Sequence, residues 1–274
     1  MSDNQAFNQI LEEVKFHISE KDFDKALDLL GSTVAKYEET PLFENNDEAT
    51  EYYCFAEPME ELLYLHLNNP QKEVKHAGVD FLTLYYLYGS VLVELGCAED
   101  ARKALAKAKR WNPASAAAAF EYGETFKMVG DADNFFKATM EIYPYLFTKK
   151  SIARFYRNLG YYYTEKEDYY TSACCFMFSG GYENHPMIAS ELAYIEQVTG
   201  KRPDPNLEDL AGCFEEHGIP LSVNEEILRI AYSYGKHFFA EQNKDAVLYF
   251  WGIFAEFVPD EDVQAVLDHI AKEK

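Results

Sequence analysis

The chain has 274 residues, 48% hydrophobic and 16% aromatic, enough to bury a sizeable core without disulfides or metal. Its 25 Lys and Arg against 47 Asp and Glu leave a formal charge of −22, which argues against nucleic acid and anionic membrane surfaces as partners. No apolar run reaches spanning length, and no basic segment followed by an apolar stretch opens the chain. The five cysteines, odd in number and without CxxC spacing, fit free thiols in a reducing cytoplasm, the expected location.

Apolar residues recur at i, i+3, i+4 and i+7, broken by short Gly, Asn, Asp or Pro punctuation, and no Asn-Gly or Asp-Gly hairpin turn occurs. That pattern predicts an all-α chain of helix hairpins. The first hairpin, within 1–40, pairs QAFNQILEEVKFHI with KDFDKALDLLGSTVAKY. Residues 41–80 are divided by Pro41, Pro58 and Pro70 and are expected to form an irregular helical hairpin with longer loops. VDFLTLYYLYGSVLVEL and AEDARKALAKAKRW form the next hairpin, which opens the most regular stretch, 81–183. Divergent hairpins are expected over 184–259, interrupted at 201–206 by KRPDPN, the best candidate for a change of direction. The tail 260–274 reads as an amphipathic capping helix, with acids at its start and Lys272 near its end, and Val263, Ala265, Val266, Leu267 and Ile270 covering the last hairpin. At the opposite end Phe7, Ile10, Leu11 and Val14 are expected either to fold back on the first hairpin or to pair with a second subunit. The sequence does not choose between monomer and homodimer.

A period links these segments. Gly89 and Gly123 lie 34 residues apart, as do Gly96 and Gly130, and Gly160 follows Gly123 by 37. The unit from Leu82 carries Tyr85, Gly89, Ala101, Leu105, Ala108 and Pro113; the unit from Ala153 carries Tyr156, Leu159, Gly160, Tyr163, Phe176 and Ser179. These choices resemble the tetratricopeptide repeat family, in which small residues let paired helices approach, aromatics fill the gaps and a proline ends the second helix. The unit from Ala116 departs by placing Phe135 where a small residue is expected. The resemblance implies an α-solenoid of about five to seven antiparallel hairpins in one right-handed superhelical domain.

In that family the first helix of each repeat lines a concave face. Carried onto this sequence, the groove positions are Thr83, Tyr86, Ser90 and Val93, then Ala117, Phe120, Glu124 and Lys127, then Arg154, Arg157 and Tyr161 with Asn158 alongside. The weaker units add Ser190 and Tyr194, then Arg229, Tyr232 and Lys236. Residues 101–157 hold eleven bases against five acids, a local +6 in an acidic chain. The resemblance therefore implies a scaffold that binds a protein or peptide partner in a basic-aromatic groove, through an extended or acidic segment or a C-terminal carboxylate. The competing reading is that Arg154 and Arg157 pair with acids of a neighbouring helix. Alternatives to a scaffold are a peptide-sensing regulatory protein or secretion chaperone of the helical-repeat type and, less favoured, an enzyme subunit on a helical solenoid.

Catalytic signatures are missing. No GxSxG, glycine-rich phosphate loop or paired-histidine motif occurs, so neither an enzyme activity nor a metal or cofactor is expected. The vicinal Cys174 and Cys175 fall mid-way along a second repeat helix and read as buried small hydrophobes.

Overall fold

The computed structural model describes residues 3–39 and 48–272, and the chain divides into two compact units, Met1–Ala138 and Thr139–Lys274. The first unit runs α1 (Asp3–Ser19), α2 (Phe23–Glu38), β1 (Thr50–Tyr53), α3 (Pro58–Asn68), β2 (Glu73–His76), α4 (Phe81–Glu94), α5 (Ala98–Trp111), α6 (Ala116–Lys127) and α7 (Ala132–Ile142), whose last turn crosses the boundary. The second contains α8 (Lys149–Glu165), α9 (Tyr169–Gly180), α10 (Pro186–Thr199), α11 (Leu207–His217), α12 (Glu225–Ala240), α13 (Lys244–Phe257) and α14 (Glu261–Lys272). Among the described residues the architecture is a helical-hairpin repeat, all-α apart from two short strands.

Five hairpin turns are the same object. A residue in the left-handed region precedes the N-cap of the second helix: Lys21 (φ 59°), Gly96 (77°), Gly130 (71°), Glu167 (60°) and Gln242 (59°). In each, the next amide reaches back five residues, as in Cys97 N–H to Leu92 O (2.8 Å) and Asp168 N–H to Tyr163 O (2.9 Å). This satisfies the carbonyls that a helix end otherwise leaves orphaned. The following side chain often starts the next helix: Asp168 Oδ1 accepts from Thr171 N–H at 3.1 Å, and Asn243 Oδ1 from Ala246 N–H at 3.2 Å.

Within each pair, glycine lets the helices close. A Cβ on Gly89 or Gly235 would collide with Leu105 or Trp251, and one on Gly160 would lie 2.9 Å from the Phe176 ring. All three bulky partners follow their glycine by sixteen residues. In the α6–α7 pair the partner is Phe135, twelve residues on, at a looser 3.6 Å. The residue that departed from the repeat pattern thus fills the same gap from one turn earlier.

In the first unit Phe7, Leu11 and Val14 are buried with Leu30, Tyr37, Phe81 and Trp111, and Ile10 packs against that cluster. The N-terminal helix therefore folds back on its own hairpin. Phe7 stands edge-on to Tyr37 at 5.1 Å and Phe81 stacks on Trp111 at 4.6 Å. Each such fully buried side chain contributes roughly 1.5–3 kcal/mol of apolar burial.

Residues 40–47, including Pro41, lie outside the described residues, and the described residues of 41–80 do not form the expected helical hairpin. A single helix, α3, stands between two strands that pair in parallel, Thr50 opposite Glu73 and Tyr53 opposite His76. Pro58 starts α3 at its first turn, where its missing N–H costs nothing. The flanking TEYY and EVKH pieces are too short to nucleate helices and instead complete each other's backbone hydrogen bonds. Tyr53 and Tyr64 share a 2.5 Å hydroxyl contact beneath Phe55. The insertion is fastened to the end of α5: Cys54 N–H donates to Trp111 O (2.8 Å), and buried Glu60 accepts from Asn112 Nδ2 (2.8 Å) and Ala56 N–H (2.7 Å).

In the second unit Tyr156 and Tyr163 are buried as packing residues, and Tyr156 stacks on Phe214 at 5.7 Å. The helix α14 buries Val263 and Ile270 and partly buries Val266 and Leu267 against Val247 and Trp251, while Ala265 stays exposed. The KRPDPN break does redirect the chain: α10 and α11 are no ordinary hairpin, since each packs on α9.

Candidate functional site

The groove positions separate into buried, engaged and exposed groups. In the first unit Tyr86 is half-buried against the core, and Phe120 is 3% exposed. Phe120 is therefore a core residue, a correction to its expected place in a groove; the alanines around it in α6 are too small to fill that space. On α8, Arg154 and Tyr161 are half-buried, but Arg157 is 7% and Asn158 6% exposed. Arg157 Nη1 lies 2.9 Å from Glu183 in the turn after α9, so this corner is an internal ion pair, not an open carboxylate clamp. Asn158 Nδ2 has no hydrogen-bond acceptor among the described residues. On α12, Arg229 is exposed and donates from Nε to Glu226 at 2.8 Å. Tyr232 is exposed with its ring 5.1 Å from that of Phe254, and Lys236 is exposed. Tyr194 is exposed on α10.

The basic stretch 101–157 is largely spent inside the fold. Arg102 donates to Thr125 O (2.8 Å) and lies 4.2 Å over the Phe126 ring; Lys107 pairs with Glu38; Lys109 sits 4.5 Å over Tyr122; Lys127 lies 3.5 Å from Glu124. Burial works against ionisation of Glu38, yet Lys107 and the Tyr85 hydroxyl hold its carboxyl below the ordinary range. These cations neutralise neighbouring acids and cover aromatic faces.

A different place gathers exposed aromatic and apolar side chains. α10 and α11 each pack on α9, and the strap that joins them leaves a cleft of about 460 Å³, lined by Tyr169, Tyr170, Ile195, Arg202, Asp204 and Asp209 among others. Gly200, at φ 70°, ends α10 and turns the chain into the strap. Asn206 Oδ1 accepts from the amides of Glu208 (2.8 Å) and Asp209 (3.0 Å), and Asp209 Oδ2 accepts from Asn206 N–H (3.2 Å). This reciprocal cap fixes Asp209 at the rim. Tyr170, Tyr194, Val198 and Leu207 are all exposed nearby, Leu207 by 81%. Burial and neighbouring Tyr194 push the Tyr169 hydroxyl upward; burial, Cys174 and Asp209 do the same for Tyr170. Both remain neutral hydrogen-bonding phenols near neutral pH.

Of the expected groove residues only Tyr194 comes near this cleft, beside Tyr169 and outside the lining itself. The readable signal for the rest was the KRPDPN break set against the adjacent Tyr169 and Tyr170. Behind the cleft, Cys174 and Cys175 are wholly buried; burial and Cys213 push the Cys174 thiol up to about 12 and that of Cys175 well above its ordinary value. Neither is an activated nucleophile. Among the described residues no group of three or more His, Cys, Asp or Glu is arranged to hold a metal, and no helix is long and apolar enough to cross a membrane.

No protein-family model matches the sequence, and no curated protein matches it. Among solved structures the chain is similar to a tetratricopeptide repeat protein from Parabacteroides merdae, 14% identical over 97% of this chain and 99% of that one, with a TM-score of 0.39. The repeat reading rests on the molecule itself, on its five equivalent turns and its glycine-to-bulky contacts.

Proposed function

We propose that the protein is a binding scaffold whose second unit grips an extended segment of a partner protein in the cleft between α9, α10 and the 201–206 strap. The observation that carries the reading is solvent-exposed Tyr170 in the lining of one concave opening, with exposed Tyr194, Val198 and Leu207 on the elements that bound it. Aromatic and apolar groups left in water on a well-packed protein are the usual mark of a binding surface. The cleft has the size of a small-ligand site, so it fits a few side chains rather than a folded domain. A scaffold needs no reacting group, and the surrounding thiols and hydroxyls are those of an unactivated site. Peptides selected by display on the wild-type protein are expected to lose about tenfold or more in affinity for a Tyr170→Ala/Tyr194→Ala variant of unchanged helicity. Selected peptides that bind this variant as tightly as wild type would place the interface elsewhere.

A further inference from the structure

We infer that the segment held in this cleft is basic: a lysine- or arginine-rich stretch of the partner, one cationic side chain lying against Tyr170 with its head group near Asp204 and Asp209. The inference rests on the cleft being the binding site and adds the partner's chemistry. Over 186–217, the elements that frame the opening, seven acids face two bases, a net of −5. Glu196, Asp204, Glu208, Asp209, Glu215 and Glu216 are exposed, and none makes an ion pair among the described residues. This contrasts with 101–157, where most cations already have an internal partner. Carboxylates left uncompensated beside exposed tyrosine faces suit a guanidinium or ammonium twice over, by charge and by the ring quadrupole. Lys201 and Arg202 line the cleft and match Asp204 and Asp209 two to two, so the acid excess lies on the flanking α10 and α11, and the −22 of the whole chain adds a field that draws cationic segments in and turns acidic ones away.

The test uses the full chain and three labelled peptides of equal length carrying arginine, glutamine or glutamate at the same positions, followed by fluorescence anisotropy at physiological salt. The arginine peptide is expected to bind about tenfold or more tighter than the glutamine peptide, with the glutamate peptide weakest. Tyr170→Ala and, separately, Asp204→Asn/Asp209→Asn should each weaken the arginine peptide by about three- to tenfold. Asparagine retains an acceptor for the cap of α11, and unchanged helicity and melting temperature identify a folded variant. Arginine-peptide binding that survives both variants undiminished would mean diffuse attraction to an acidic surface and overturn the proposal. A glutamine or glutamate peptide that binds as tightly as the arginine one, and is lost in Tyr170→Ala, would overturn the basic partner while leaving the cleft as a binding site. Indifference of all three peptides to Tyr170→Ala would overturn both.

Discussion

Gly123 and Gly235 occupy equivalent places in their hairpins and have opposite tolerances. A Cβ on Gly123 would rest 3.6 Å from Phe135, an ordinary contact, whereas one on Gly235 would overlap the Trp251 indole. Gly123→Ala is therefore expected to leave stability unchanged or raise it by up to about 1 kcal/mol through helix propensity. Gly235→Ala should cost about 1–3 kcal/mol by forcing Trp251 aside; urea midpoints of the two variants check the contrast. Glu60 offers a pH test. Burial raises its carboxyl above the ordinary 4.5, although Asn112 and two backbone amides oppose the shift. The folded state therefore holds this proton more tightly than the unfolded chain, so the contribution is full below 4.5 and is lost as pH rises through the raised folded value. Glu60→Gln, which keeps an acceptor for Asn112, should flatten that part of the stability–pH curve; a curve identical to wild type would assign the slope to other groups. Single residues also set how much of the site was legible. Tyr194 was readable as an exposed repeat position, whereas Phe120 and Arg157 share that register and are buried, as is the adjacent Asn158. Position in a repeat does not reveal which loop, here the one bearing Glu183, folds over it.

At the scale of elements, the hairpin turn is the recurring unit, and glycine only sometimes advertises it. Gly96 and Gly130 exposed the 34-residue period, while Lys21, Glu167 and Gln242 adopt the same left-handed geometry without that signature. This is why the repeats looked regular in the middle of the chain and faded toward its ends. A non-glycine residue there carries a conformational cost of about 1–2 kcal/mol. Glu167→Gly should recover roughly 0.5–1 kcal/mol of it, and Gly130→Ala, with open space around its Cβ, should lose about 1 kcal/mol from backbone strain alone. Thermal melts that move in the reverse directions would show the turns to be incidental to stability. The strands escaped the sequence for a related reason: four-residue pieces whose partners lie 23 positions away carry no local periodicity. The cleft was legible only as the KRPDPN break, because its opening exists only where α10 and α11 both lean on α9.

For the whole molecule, a charge of −22 means substantial self-repulsion in the compact state. Internal pairs such as Arg157–Glu183 and Lys107–Glu38 offset only part of it. Raising salt from roughly 20 to 150 mM should therefore increase the melting temperature by a few degrees, since screening relieves many weak repulsions while weakening few exposed attractions. A fall in melting temperature would make the ion pairs the larger contribution.

The insertion bearing β1, α3 and β2 leaves the hairpin array after α2 and rejoins it at α4, yet α2 and α4 still pack directly on each other, Tyr37 against Phe81 at 5.8 Å and the Tyr85 hydroxyl on Glu38 at 2.9 Å. The two ends of the excursion are thus held together by contacts that do not involve it. Closure entropy grows only logarithmically with length, about 0.6 kcal/mol for each doubling, so the array is almost indifferent to how much chain is looped out there. The junction between the first and second helical hairpins is in this sense a port: a place where the molecule can gain, lose or exchange a module while its neighbours keep their register.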